Sequence, residues 1–507
     1  MSGHHQENTH YDVLIIGAGL SGIGMACHLA IDCPGKNVGL LERRNAIGGT
    51  WDLFRYPGVR SDSDMFSFGY QFRPWNELKV LADGPSIRAY VEETARAYGV
   101  DRRIRFGIGV TRASWSTEQK HWTVIAVNAK NDQACRFTCD FLITCTGYFD
   151  HEKGYLPDYP GIDRYQGQFI HPQRWPEGLA YRGKRVIVIG SGATAVTIVP
   201  AMAEETAHIT LLQRSPSYIF SLPAHDGISA GLRHILPARL VYAIARKRNI
   251  YLQRLIYKAA KRWPAQVRAL LLASVRKRVG PDVDLKNFSP RYGPWDQRLC
   301  AVPDGDLFEV LRKGKASIVT DTIDTFTESG IRLTSGKTLE ADIIITATGF
   351  QLQALGGATL DVDGDERPVG ELMTYKGVLL QDTPNMAVIF GYTNASWTLK
   401  VDLAASYICR LLNYMDDRHL ATVTPRAPTN EMQSETILDS LSSGYVLRGG
   451  TSMPRQGRSV PWRVMHNYEF DRRMLLKLPI DDPALEFDAH SDTYARPKAT
   501  DDVSSLG

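Results

Sequence analysis

The 507-residue chain has no run approaching the roughly 18 to 20 apolar residues needed to cross a bilayer, so an integral membrane protein is not expected. Residues 1–10 are polar and lead straight into an apolar run at 13–16, without the charged and hydrophobic regions of a secretory signal. A cytoplasmic protein is the expectation. Cysteine is scarce: Cys27, Cys33, Cys135, Cys139, Cys145, Cys300 and Cys409 form an odd set with no C-x-x-C pair, which favours reduced packing residues over a disulfide framework. The thirteen histidines include no H-E-x-x-H and no cluster with Cys at ligand spacing, so no metal is expected. The last scarcity is local. Residues 227–281 contain thirteen Lys or Arg and no Asp or Glu, although the whole chain carries a formal charge of only +4. That segregation fits a solvated helix face or a surface for an anionic partner such as a membrane, and no nucleic-acid module accompanies it.

What is present points to an α/β protein of about three domains. The apolar run at 13–16 is followed by Gly17-Ala18-Gly19-Leu20-Ser21-Gly22, a helix-like segment, and a second strand-like run ending at Glu42, which lies 20 residues beyond Gly22. This is the Rossmann fingerprint. Gly17 permits the turn, Gly19 lets backbone approach a pyrophosphate, Gly22 lets helix pack on strand, and Glu42 can accept from a ribose hydroxyl. A glycine- and arginine-rich loop follows, from Gly48-Gly49-Thr50-Trp51 through Arg60-Ser61-Asp62, and its irregularity suits a ligand-shaping segment.

A second unit begins near residue 184, where an apolar run leads into Gly190-Ser191-Gly192-Ala193-Thr194-Ala195, a helix and another strand. After that strand stand Gln213 and Arg214 in place of an acid. A carboxylate would repel a 2′-phosphate and an arginine would bind it, so the second site reads as NADP-binding and the first as FAD-binding. The run Asp140-Phe141-Leu142-Ile143-Thr144-Cys145-Thr146-Gly147 is echoed at Asp342-Ile343-Ile344-Ile345-Thr346-Ala347-Thr348-Gly349, as expected if one nucleotide domain is inserted into another. The reading assigns 1–150 and 336–487 to the FAD domain, 151–225 and 291–335 to the NADP domain, 226–290 to a basic helical insertion broken at Pro237 and Pro264, and 488–507 to a poorly ordered tail. An amphipathic helix over 396–415 completes the FAD domain, its apolar stripe reading as core.

Between the fingerprints, residues 165–176 carry Tyr165, Gly167, His171, Trp175 and Pro176. This resembles the signature F-x-G-x-x-x-H-x-x-x-W-P/D of type I Baeyer–Villiger monooxygenases, with Tyr in place of the first Phe. Residues 49–58 and 391–400 are similar to the mycobacterial ethionamide-activating monooxygenase subgroup. The resemblance runs from Tyr11 to about Asn467. It implies a flavoprotein that uses FAD, NADPH and O2, in which a flavin C4a-peroxide inserts one oxygen atom into a ketone to give an ester or lactone, with S-oxygenation of thioethers or thioamides as a further activity. The alternatives are a monooxygenase restricted to nitrogen and sulfur and, more remotely, a non-catalytic nucleotide-binding redox sensor. By the family's pattern Arg298 is the fixed cation that steadies the peroxy anion, and Asp62 positions it beside the flavin with Thr50 and Trp51 nearby. The family often has Lys before that arginine. Here Gln297 stands there, which leaves NADPH selectivity more heavily on Arg214. The same pattern gives His171 and Trp175 a domain-coupling role.

Overall fold

The computed structural model describes residues 9–297, 299–439 and 443–489. Position 298 and the tail beyond 489 therefore lie outside the described residues. The first domain opens with β1 (Thr9–Ile16), α1 (Leu20–Asp32) and β2 (Val38–Glu42), and β2 pairs parallel to β1. Three helices, α2 (Thr50–Leu53), α3 (Met65–Phe68) and α4 (Gly84–Ala97), precede β3 (Ile104–Phe106), which continues the parallel sheet. The chain then makes a meander of β4 (Ile108–Ser116), β5 (His121–Asn128) and β6 (Gln133–Thr144), and β6 returns parallel to β1. The strand Met386–Val388 joins beside β6 near the end of the chain. Because this sheet is covered on both faces, β1 is apolar at every core position: Val13 and Ile15 pack on one side, Leu14 and Ile16 on the other.

The chain leaves through β7 (Phe149–Gly154) and enters a second sheet at β8 (Gln168–Ile170), followed by β9 (Arg185–Ile189), α5 (Ala193–Met202), β10 (His208–Gln213) and β11 (Ile219–Leu222). The basic insertion is helical: α6 (Gly227–Leu232), α7 (Ala238–Arg262) and α8 (Pro264–Val279). The breaks fall at the expected prolines, with Pro237 preceding α7 and Pro264 opening α8, where its missing N–H costs nothing. β12 (Cys300–Pro303), α9 (Asp306–Arg312) and β13 (Ala316–Thr320) follow, then an antiparallel group, β14 (Ile323–Thr327), β15 (Gly330–Leu333) and β16 (Thr338–Glu340). β17 (Ile343–Thr346) closes the second sheet in the order β13-β10-β9-β17-β8, with all pairings parallel. The expected fold class of two Rossmann-like domains, one inserted into the other, is what this topology shows.

One expected boundary moves. β17 pairs with β9 and β8, so the second domain extends past 335 to the glycine turn at 349. The return to the first domain is made by β18 (Phe350–Leu352), which runs antiparallel to β7. The two crossings thus form one ribbon. Residues 165–176 contain an edge strand of the second sheet.

The long helix α10 (Trp397–Asp417) lies against α1 and carries Asp402, which is 3% exposed. His28 of α1 approaches this carboxylate at 3.3 Å, and its other ring nitrogen lies 3.6 Å from Asp32. Burial opposes the imidazolium charge, but the two carboxylates outweigh it and hold the His28 pKa up at about 9. A histidine raised above its unfolded value contributes stability that is complete below about pH 6.5 and lost as pH rises through about 9. The melting temperature is expected to fall across that window and to flatten in His28→Gln; an unchanged slope in the variant would contradict the assignment. Asp402→Ala is expected to cost about 3–5 kcal/mol in denaturant titration, because it strands buried cations.

Candidate active site

The first fingerprint and the returning strand are built against each other. A Cβ on Gly17, whose φ is +102°, would lie 2.7 Å from the Cys145 carbonyl oxygen; at Gly190, with φ +140°, it would lie 2.4 Å from that of Ala347. The repeated strand-and-glycine sequences at 140–147 and 342–349 thus do the same job in each domain, pressing a backbone carbonyl onto the first fingerprint glycine. Gly22 faces the Gly17 carbonyl, where a Cβ would sit at 1.9 Å. Glu42 is 6% exposed; one carboxylate oxygen accepts from the Ala18 N–H (2.7 Å) and the other from the Arg44 N–H (2.8 Å). Burial raises its pKa against the pull of these donors. Each oxygen keeps a lone pair that can face a ribose hydroxyl.

A cavity of about 330 Å3 joins the two domains. Gly17, Gly19 and Glu42 of the first domain, Ala193 and Thr194 of the second fingerprint, and Thr50, Trp51 and Asp62 all line it. Aromatic rings make up much of the rest: Phe149 packs on Phe350 at 4.4 Å between centroids, and Tyr148 stacks on Trp397 at 5.3 Å. The remaining expected cofactor residues are elsewhere. Gly22 and Ala195 pack helices onto strands, Gly190 and Gly192 form the turn before α5, and Arg214 is exposed at the end of β10. Gln297 sits half-buried in the loop before position 298, and Arg298 itself lies outside the described residues.

None of the signature residues lines the cavity. The Tyr165 hydroxyl donates to the Ala341 carbonyl (3.0 Å), and Gly167 leaves room for that ring. His171 packs on Gly154 of β7, where a Cβ would lie 2.0 Å from its ring, and its Nδ1 accepts from the Gln173 N–H. Burial lowers the His171 pKa. Its neighbours Gln173 and Arg174 donate to the Asp150 and Glu152 carbonyls at 2.8 and 2.7 Å, so this turn is pinned to the outgoing crossing strand. Trp175 packs on the core of the second domain, and Pro176 is exposed.

Sequence reasoning missed three contributors. Tyr56, 8% exposed, belongs to the core of the second domain although it is encoded in the first, and its hydroxyl bonds Thr194; burial pushes its pKa up to about 12. Arg60 reaches across to Asp306 of α9 at 2.6 Å. Both lie in the glycine- and arginine-rich loop already singled out, but nothing local in that loop identifies their partners. Trp397 belongs to a stripe read as core, yet its ring borders the cavity and its Nε1 donates to Ser21 at 2.8 Å.

Residues 10–355 match the family described as flavin-binding monooxygenase-like. The chain belongs to that family. It is 58% identical over 492 residues to MymA of Mycobacterium tuberculosis, covering 96% of this chain and 99% of the relative. It is 48% identical over 480 residues to the FAD-containing monooxygenase EthA of the same species, covering 94% and 98%. Among solved structures, an oxidized steroid monooxygenase bound to NADP superposes with a TM-score of 0.77 at 23% identity, over 95% of this chain and 100% of that one. OTEMO in complex with FAD and NADP gives 0.68 at 24%, over 82% and 88%. These superpositions establish the fold, and membership of the family makes the chain a flavin monooxygenase.

The cradle is directly testable. Gly22→Ala must displace the Gly17 carbonyl, a strain of about 1–3 kcal/mol, and is expected to purify with roughly a tenth of the wild-type flavin per chain. Wild-type flavin content in that variant would contradict the role assigned to Gly22 in the cradle.

Proposed function

We propose that this protein is an FAD- and NADPH-dependent Baeyer–Villiger monooxygenase that converts ketones to esters or lactones. The net reaction consumes ketone, O2, NADPH and one proton and releases ester, NADP+ and water. The observation that carries the reading is one cavity lined both by Gly17, Gly19 and Glu42 of the first fingerprint unit and by Thr194 of the second, with Asp62 also in its lining. The resemblance of residues 165–176 to the Baeyer–Villiger signature supplies the substrate class.

Bound FAD supplies the redox chemistry, taking hydride from NADPH and activating O2. The chain's residues bind, orient and exclude water. Gly17 and Gly19 leave backbone bare at the α1 N-terminus where a pyrophosphate would bind, and Glu42 would accept from the adenosine ribose. In the second domain β10 ends in Gln213 and the exposed Arg214, with no acid to repel a 2′-phosphate. The aromatic wall formed by Phe149, Phe350, Tyr148 and Trp397 keeps the reaction space dry, which limits wasteful loss of reduced oxygen as peroxide. Arg298, by the family's pattern, presents a permanent cation to the negative charge that develops on oxygen during carbonyl attack, and Asp62 orients it. The seven cysteines, none in a disulfide and six of them buried, support a reducing cytoplasmic setting.

Arg298→Ala is expected to lower ketone conversion by about 10²–10³-fold while flavin reduction by NADPH continues. Ketone turnover at the wild-type rate would overturn the assignment, and retained thioether oxygenation alone would favour the nitrogen- and sulfur-oxygenating alternative. Arg214→Ala is expected to reduce kcat/KM for NADPH by about tenfold and to leave NADH unchanged. Equal losses for both nucleotides would place 2′-phosphate recognition elsewhere.

A further inference from the structure

The exposed apolar surface is concentrated in the basic helical insertion. Ten of the seventeen large hydrophobic side chains that stand exposed among the described residues lie between positions 228 and 270. On α7, Leu240, Ile244, Tyr251 and Leu255 are 47%, 39%, 58% and 43% exposed. Their spacings of four, seven and four put them on one face, a stripe roughly 22 Å long at the helical rise. Lys247 and Lys258 extend the same face. Over the first turns of α7 the opposite face, with Val241, Tyr242, Ala245 and Arg246, is buried, and further along it Leu252 and Ile256 are also exposed. Trp263, 54% exposed, stands at the turn into α8.

The charges decide what this stripe fits. Arg248 pairs with Asp226, Arg254 with Glu469 and Lys261 with Asp296, and these bonds hold the hairpin to the body. Arg239, Lys247, Lys258, Arg262 and Lys277 form no ion pair among the described residues, and residues 227–281 contain no acid to neutralise them. A second copy docking on this stripe would set lysine against lysine. An anionic bilayer supplies both an apolar phase for Leu240, Ile244, Tyr251 and Leu255 and negative charge for the flanking lysines. Among the described residues no helix is long and apolar enough to cross a membrane, so the proposed contact is one in the interface plane.

We propose that α7 and α8 form a peripheral docking surface for anionic lipid that brings the cavity wall to the membrane. The link to the site is rigid. Arg246 donates to the Phe66, Ser67 and Gly69 carbonyls, and Asn249 and Gln253 donate to the Asp64 carboxylate. This is the segment whose Ser61, Asp62, Ser63 and Phe68 line the cavity. Lys261 also donates to the Trp295 carbonyl in the loop that leads to Gln297. An apolar substrate dissolved in the lipid is thereby presented close to the cavity. The proposal concerns where the enzyme works and does not depend on whether the oxygen goes to a ketone or to sulfur.

The test is flotation of the full-length holoprotein with phosphatidylcholine vesicles with and without phosphatidylglycerol, at low and high salt. Binding is expected only with the anionic lipid and is expected to weaken with salt. Lys247→Glu with Lys258→Glu, and separately Leu240→Ser with Leu255→Ser, should each reduce binding by roughly tenfold or more. All four positions are exposed, so melting temperature and flavin content should stay at wild-type values. Absence of binding, equal binding to both lipids, or binding indifferent to both double variants overturns the proposal. Lipid-free self-association in the ultracentrifuge that the Leu240→Ser, Leu255→Ser variant abolishes would assign the stripe to a second copy of the chain instead.

Discussion

One buried carboxylate, Asp402, is the point on which four separate stretches of chain converge. It takes His28 of the first fingerprint helix, the backbone N–H of Gln71 at 2.9 Å, and Arg246 of the insertion at 3.1 Å. In a low-dielectric interior such a charge is tolerable only with its partners present, and Arg246 and His28 both draw on it, His28 together with Asp32. Arg246 then spends further donors on the Phe66, Ser67 and Gly69 carbonyls. The fingerprint helix, the loop on the cavity wall, the insertion and α10 are therefore parts of one electrostatic assembly, although Asp402 and His28 are 374 residues apart in sequence.

A second constraint sets the two nucleotide units against each other. The chain crosses between domains twice, and the crossings pair as the β7–β18 ribbon. His171, Gln173 and Arg174 grip one strand of that ribbon from the second domain. From the first domain, Phe54, Tyr56 and Val59 insert into the core of the second, and Arg60 pairs with Asp306. The cavity is bounded by these contacts, so its width depends on how the domains are held and not on either fingerprint alone. This explains why the most recognisable stretch of the sequence can stand outside the cavity and still matter to it.

Much of this was legible from sequence because the governing interactions are local. Strand, glycine turn, helix and acid follow one another within about thirty residues in the first fingerprint, and their roles come from backbone geometry that only glycine permits. The helices of the insertion were legible for the same reason, since Pro237 and Pro264 act on their own neighbourhood. The domain boundary at 335 was misplaced because an apolar run such as Ile343-Ile344-Ile345 reads alike whichever sheet it joins, and its partners β9 and β8 are more than 150 residues away. Trp397 was read as core because a helical stripe does not show which of its members meets a cavity at its end.

By itself the sequence determined that there are two dinucleotide units, that an acid ends the second strand of the first and an arginine follows that of the second, and that a basic helical hairpin interrupts the second unit. These depend on spacing and residue type alone. Only the tertiary structure decided that Tyr56 completes the neighbouring domain, that Glu42 is buried between two backbone donors, that the signature clasps a crossing strand, and that α7 turns an apolar, cationic face outward. Each is a contact between segments distant in sequence or a burial created by such contacts, and its energy comes from a partner that no local pattern names.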